Sequence, residues 1–176
     1  MDDLSKLQTL VRDCEKLTID SGLYNASKIV QYHPEELVIT VTSGTKISQI
    51  QTELEKNQQS LSFYIENPNK TIGSAFATGG TDLADSVLGA QIIDGRGDVL
   101  NFGGQVMKNV AGYDVARLLV GSQGKLALVT EISFKVMPST YIGELKPQAR
   151  TNNHSELRTR LEAQLKSVFD PHNKFL

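Results

Sequence analysis

The stretch that most constrains the fold of this chain is Val106–Pro138, which reads VMKNVAGYDVARLLVGSQGKLALVTEISFKVMP. The apolar spacing that begins at Val115 predicts a short amphipathic helix, and the partial alternation over Ala127–Met137 predicts a long β-strand that ends at Pro138. Glycine pairs flank these elements. Because glycine lacks a Cβ atom, such turns let the backbone approach a flat or phosphorylated ligand closely.

Length and composition describe an ordinary globular protein of one domain, or of two small lobes that share a core. The chain has 176 residues, of which 39% are hydrophobic and 22% are charged. Its net charge of −2 and the absence of Lys/Arg runs argue against nucleic-acid binding. A single cysteine, Cys14, excludes an internal disulfide and fits a reducing compartment.

The chain also lacks the sequence features of membrane and secreted proteins. No apolar run approaches the roughly 20 residues that a membrane-spanning helix needs, and the N-terminal Met-Asp-Asp does not begin a signal peptide. We therefore expect a cytoplasmic protein with no transmembrane segment.

Local patterns predict further elements on both sides of residue 68. The β-branched, alternating run Leu37–Thr42 predicts a strand, and Thr45 is the expected N-cap of the helix that follows. A further strand is expected at Leu61–Ile65. An Asp-Gly dipeptide between two apolar runs predicts a hairpin of Val87–Ile93 with Asp98–Phe102. Amphipathic helices are expected at the N-terminus, from Leu4 to Cys14, and at the C-terminus, from Ser155 to Val168.

These elements predict an α+β fold of two small α/β lobes. Residues 1–68 form the first lobe, residues 69–138 form a second lobe that is mainly antiparallel sheet, and residues 139–176 form a linker and a closing helix.

The segment Thr71–Gly80 (TIGSAFATGG) is rich in small residues and has two interpretations. It is either a packed strand-turn that permits close contact between the lobes, or a loop whose N–H groups point at phosphate or flavin oxygens. The turn Gly121–Gly124 has the same two interpretations. Likewise, Asp114 either caps the helix that starts at Val115 or forms a binding wall with Tyr113.

Motifs of several enzyme classes are missing. The three histidines show no metal-ligand spacing, and no Gly-x-Ser-x-Gly elbow is present. We therefore expect no metal site, and the sequence assigns no catalytic acid or base.

Four blocks of the sequence resemble the FAD-binding domain of the vanillyl-alcohol oxidase type, also called the PCMH type. Within that family the resemblance is to the FAD-binding E subunits of glycolate oxidases. The blocks are YHPEELVITVTSGT from Tyr32, TIGSAFATGG from Thr71, the long run Asp85–Pro138, and LEAQLKSVFDPHNKF from Leu161.

The resemblance implies that FAD lies between two lobes and that small residues contact it. It implies cofactor-binding roles for Thr71, Ile72, Gly73, Ser74, Thr78, Gly79, Gly80, Asp85, Gly121, Ser122, Gly124 and Val129. It further implies oxidation of a small 2-hydroxy acid beside a larger flavoprotein subunit and an iron–sulfur subunit. Any membrane association would then be peripheral and through those partners.

The chain also departs from the family pattern in three places. The glycine-rich pyrophosphate loop is reduced to Gly22 within Leu17–Ser27, a second loop is reduced to Thr81–Ala84, and no cap domain follows Pro138. Because each charge-assisted hydrogen bond contributes about 1.5–3 kcal/mol, losing several predicts weak or absent FAD binding by the isolated chain. The alternatives are therefore a flavin-binding oxidoreductase subunit, a non-catalytic relative that docks a partner, or a shortened piece of a longer chain.

Overall fold

The computed structural model describes residues 3–20, 23–105, 114–147 and 156–176 and confirms the α+β class. The strands are β1 Ile29–His33, β2 Val38–Thr42, β3 Gln59–Leu61, β4 Val87–Ile93, β5 Val99–Gly103 and β6 Leu128–Pro138. The helices are α1 Asp3–Asp13, α2 Ile47–Glu55, α3 Ile72–Thr78, α4 Thr81–Ser86, α5 Val115–Leu118 and α6 Glu156–Phe169.

One antiparallel sheet joins the two predicted lobes. Its order is β1-β2-β6-β4-β5, and β3 pairs with the far end of β6. At 11 residues, β6 is long enough to pair with β2 and β4 along its sides and with β3 at its end. Strands from residues 1–68 and from residues 69–138 therefore share hydrogen bonds through β6. The boundary between the lobes at residue 68 stays a prediction.

The main core lies on one face of this sheet. Residues of β6 that point to this face, such as Ile132, Phe134 and Val136, are almost fully buried. The apolar stripe of α2 and the buried side of α3 pack onto them, and the rings of Phe63 and Phe134 lie 5.7 Å apart. Burial of this apolar surface is the largest favourable contribution to the free energy that holds the layers together.

A second, smaller cluster fixes α1 at the end of the β4–β5 hairpin. Leu7 and Val11 of α1 pack there with Ile93, Leu128 and Phe175. The hairpin turn contributes an acceptor, because Gln8 Nε2 donates a 2.9 Å hydrogen bond to the carbonyl of Gly97. The N-terminal helix and the C-terminal residues therefore meet on one part of the sheet.

The buried carboxylate of Asp170 organises the C-terminal residues just after α6. Asp170 Oδ1 accepts the N–H of Lys174 at 2.7 Å, and Oδ2 accepts the N–H of Phe175 at 2.8 Å and Lys166 Nζ at 3.0 Å. Burial acts to raise the pKa of Asp170, but these hydrogen bonds and the Lys166 charge outweigh it and lower the pKa below its usual value.

Most predicted elements are found within one or two residues of their expected bounds, and three differ. Helix α2 is capped at Lys46 instead of Thr45, because the Thr45 hydroxyl is used to accept the N–H of Lys28 at 3.0 Å. The strand expected at Leu61–Ile65 lies earlier, at β3. Thr71–Gly80 contains the helix α3 and is neither a strand-turn nor an open loop. Ser155, the expected N-cap of the last helix, lies outside the described residues.

We expect Asp170→Asn to lower the free energy of unfolding by about 3 kcal/mol at pH 7, because it places an amide against three donors of a buried site. The folded-state pKa of Asp170 is lowered, so its contribution is complete above the unfolded-state value of about 3.9 and disappears as the pH falls through the folded-state pKa. Denaturant unfolding at pH 7 and at progressively lower pH measures the free energy of unfolding of both proteins. The difference between Asp170→Asn and the parent should become smaller as the pH falls. The exposed Asp13→Asn is the matched control, and an Asp170→Asn deficit that stays constant into strong acid would contradict this assignment.

Candidate functional site

A cavity of about 400 Å³ lies where four segments of the fold meet. Its walls come from Ile19, Asp20 and Tyr24, from Ser43 just after β2, from Thr71 and α3, and from the stretch between Ser122 and Val129 that leads into β6. These segments are adjacent because β2 and β6 are paired, and Ser43 N continues that pairing with a 2.8 Å hydrogen bond to Thr130 O. The volume falls within the range of small-molecule pockets.

Helix α3 is fixed against the chain that follows β2 by hydrogen bonds at its first turn. Gly73 N donates to Ser43 O and Ile72 N donates to Thr45 O, both at 2.8 Å. Ser74 N donates to the hydroxyl of the N-cap residue Thr71 at 3.2 Å. A Cβ atom at Gly73 would lie 2.8 Å from Ser43 Cβ, so only glycine permits this close approach. The first N–H groups of α3 are thus used within the protein.

The turn after α5 is fastened to the other end of α3. Gly121 N donates to Phe76 O and Gln123 N donates to Ala77 O, both at 2.9 Å. Gly124 follows with φ of 76°, a conformation that favours glycine. It is buried, and its N–H donates to no acceptor among the residues that the structure describes. A buried N–H on the cavity wall is a donor suited to a ligand.

The C-terminus positions the remaining wall. Leu17 pairs with Phe175, and Leu17 N donates to Lys174 O at 2.8 Å. Lys16 Nζ also donates to Asn173 O at 2.5 Å. These contacts hold the chain just before Ile19, Asp20 and Tyr24, which line the cavity. The Asp170 cluster and the cavity are therefore linked through one short backbone bridge.

The cavity surface combines apolar side chains with hydroxyl groups and carries little charge. Phe76, Ala127, Leu128 and Val129 supply apolar area, and the hydroxyl-bearing residues Ser43, Ser74, Thr78 and Ser122 also line it. Asp20 is the carboxylate of the lining, and over the described ranges no Lys or Arg contributes to it. This surface suits a ligand that is partly apolar, rich in hydrogen-bonding groups, and not strongly anionic.

The structure brings together seven of the twelve residues that the resemblance implicates. Those that line the cavity are Thr71, Gly73, Ser74, Thr78, Ser122, Gly124 and Val129. The five that do not are Ile72, Gly79, Gly80, Asp85 and Gly121. Ile72 is fully buried in the main core, and Asp85 forms an ion pair with Arg117.

Sequence reasoning did not single out nine lining residues: Ile19, Asp20, Tyr24, Ser43, Phe76, Ala77, Gln123, Ala127 and Leu128. Phe76 and Ala77 lie within the small-residue segment, and a helical interpretation of that segment would have placed them on a cavity-facing side. Ile19 and Asp20 reach the cavity through the Leu17–Phe175 bridge, for which no local sequence pattern exists.

Asp114 has the capping role, because its carboxylate accepts the N–H of Arg117 at 3.2 Å at the start of α5. Tyr113, its proposed companion in a binding wall, lies outside the described residues. Over the described ranges, no three His, Cys, Asp or Glu side chains are grouped as metal ligands would be. In the same part of the chain, no helix has the length and apolar character required to cross a bilayer.

Comparisons with known proteins identify relatives of this chain. A sequence profile of the family described as "FAD binding domain" matches residues 7–103. The chain is 47% identical to glycolate oxidase subunit GlcE of Escherichia coli (strain K12) over 122 residues, which is 62% of this chain and 34% of GlcE. It is 46% identical to glycolate oxidase subunit GlcD of Bacillus subtilis (strain 168) over 54 residues, which is 31% of this chain and 12% of GlcD.

The fold is also found in solved structures. A structure of alkyldihydroxyacetonephosphate synthase superposes with a TM-score of 0.60 over 76% of this chain and 30% of that one, at 17% sequence identity. At that identity the likeness concerns the fold. The present chain corresponds to about a third of GlcE and of the synthase.

We expect Gly124→Ala to destabilise the protein by about 1–2 kcal/mol, because the site has φ of 76° and the new Cβ would lie 3.0 Å from Ile19 Cβ. Gly143→Ala is the matched control, since its Cβ would meet nothing within 4 Å, and it should stay within about 0.5 kcal/mol of the parent. Thermal and denaturant unfolding measure both. Equal stability of the two variants would show that the turn conformation at Gly124 is not required.

Proposed function

This chain belongs to the FAD binding domain family, and from that membership we propose that it is the FAD-binding subunit of a 2-hydroxy-acid oxidoreductase of the glycolate type. The observation that carries the proposal is the cavity beside α3. Residues that are distant in sequence line it together, and seven of them, between Thr71 and Val129, are residues that the resemblance implicates. We place the flavin there.

The lining fits part of FAD. Apolar walls such as Phe76 and Val129 suit the faces of a flavin ring, while the hydroxyl-bearing residues and the Gly124 N–H suit its polar edge and the ribityl hydroxyls. The diphosphate does not find matching groups in the described lining, because the first N–H groups of α3 are used and no basic side chain is present. When bound, the flavin supplies the two-electron acceptor for oxidation of the hydroxy acid.

The proposed substrate and partners rest on the resemblance and on two named relatives. GlcE and GlcD are both named as glycolate oxidase subunits, and this chain is similar to both. We therefore propose that it works in a complex with a larger flavoprotein subunit and an iron–sulfur subunit, on a small 2-hydroxy acid.

A second candidate function is a non-catalytic relative that docks a partner. The charge of the cavity favours it, because a diphosphate placed in the described lining would face Asp20 and no cation. The two candidates share the fold. They differ in whether the chain binds FAD, alone or in a complex.

The test is a titration of the chain with FAD, followed by quenching of flavin fluorescence, with and without candidate partner subunits. Saturable binding that a partner strengthens supports the oxidoreductase subunit. A stable complex with a partner and no flavin binding in either state would overturn it in favour of the docking role.

We expect Ala77→Leu to weaken flavin binding by at least about tenfold, because Ala77 lines the cavity and a larger side chain takes up ligand volume. Ala163→Leu on the exposed side of α6 is the matched control and should leave binding unchanged. Circular dichroism verifies that both variants are folded. If the folded Ala77→Leu protein binds flavin as the parent does, the flavin does not occupy this cavity.

A further inference from the structure

We infer that this cavity selects the uncharged part of the cofactor, so that the isolated chain binds riboflavin more tightly than FMN or FAD. The inference rests on the proposed placement of the flavin and concerns which flavin the site accepts. Three features of the cavity support it. Asp20 and several hydroxyl-bearing residues line the cavity, and the backbone N–H groups beside them already donate to acceptors within the protein.

The backbone N–H groups beside the cavity already donate hydrogen bonds within the protein. Phosphate groups in proteins are held by N–H groups and cations. Here Ile72 N, Gly73 N and Ser74 N donate to Thr45 O, Ser43 O and Thr71 Oγ1. On the turn opposite, Gly121 N and Gln123 N donate to carbonyls of α3, and Ser122 N donates to Leu119 O. A phosphate could recruit these groups only by breaking contacts that hold the cavity walls together.

The charge of the cavity lining also disfavours a phosphate group. Asp20 lines the cavity, and none of the basic side chains in the described ranges does. Two lysines near these walls are engaged elsewhere: Lys16 Nζ donates to Asn173 O, and Lys166 Nζ donates to Lys125 O, Phe175 O and the Asp170 carboxylate. A phosphate brought to the cavity would therefore lose hydration without gaining a counter-charge.

The lining offers uncharged hydrogen-bonding groups. Ser43, Ser74 and Ser122 bring hydroxyl groups to the cavity wall, and buried Gly124 adds an N–H without an acceptor in the described part of the chain. Hydroxyls that both donate and accept match the alcohols of a ribityl chain. A volume of about 400 Å³ lies toward the small end of ligand pockets, which favours the shorter flavin.

The experiment compares riboflavin, FMN and FAD by fluorescence titration of the full chain at low ionic strength. Riboflavin and FMN differ by one phosphate group, and neither contains adenine. Their comparison therefore measures the effect of the phosphate charge without a contribution from the bulky adenine of FAD. We expect riboflavin to bind about tenfold more tightly than FMN. Because Asp20 is exposed and its field is screened, Asp20→Asn should lower the ratio of riboflavin affinity to FMN affinity by about threefold.

The matched control is Asp13→Asn, which changes the net charge equally at an exposed position that does not line the cavity. It should leave all three affinities unchanged. Raising the salt concentration should also narrow the gap between riboflavin and FMN.

The outcomes separate the two proposals. Tighter binding of riboflavin than of FMN, narrowed by Asp20→Asn, supports the inference. Equal or tighter binding of FMN or FAD overturns it and leaves the proposed flavin function intact. Failure of all three flavins to bind, with and without partner subunits, overturns the proposed function itself. If Asp13→Asn and Asp20→Asn have the same effect, the preference is not a property of the cavity and the inference fails.

Discussion

The pairing of β6 with β2 on one side and β4 on the other is the interaction on which the rest of the structure depends. One face of β6 carries the main core, and the start of the strand, Leu128 and Val129, forms part of the cavity wall. Because the cavity segments leave the sheet beside this strand, their spacing is set by the sheet register. A slip of one residue would turn the buried residues of β6 to the opposite face and remove the core and the cavity together.

A second constraint is the C-terminal anchor around Asp170. Its carboxylate accepts the N–H groups of Lys174 and Phe175, and the backbone bridge from Phe175 to Leu17 then holds the chain that leads to Ile19 and Asp20. Lys174 Nζ also donates to Val11 O and Arg12 O at the end of α1. A cation beside the last carbonyls of a helix is favourable, so one short segment fixes both α1 and a cavity wall.

The sequence predicts the elements better than it predicts the site. Strands β2, β4 and β6 carry period-two or β-branched patterns, so local rules suffice for them. The hairpin of β4 with β5 is closed by the turn Asp94–Gly97, whose left-handed residue is Gly97 and not the Gly of the Asp-Gly pair. Thr45 is a plausible cap by local rules, but its hydroxyl is taken by Lys28, a residue 17 positions away. Likewise, Ile19 and Asp20 directly follow the bridge from Leu17 to Phe175 at the far end of the chain, and Tyr24 lies against Gly44. Contacts of this range leave no periodic signal, and for that reason local patterns do not predict them.

The described walls of the cavity combine a well-fixed backbone with little charge. The fold keeps the geometry of a ligand cavity: α3 is capped by Thr71, Gly73 permits close contact with Ser43, and Gly124 keeps its left-handed conformation. The described walls hold no cation for a diphosphate, and the backbone donors of α3 are consumed by the protein. Backbone geometry is maintained by packing, whereas phosphate affinity depends on a few charges and N–H groups, each of which can be lost without unfolding the domain. If the flavin binds in this cavity as proposed, a chain with these walls favours the uncharged end of the cofactor.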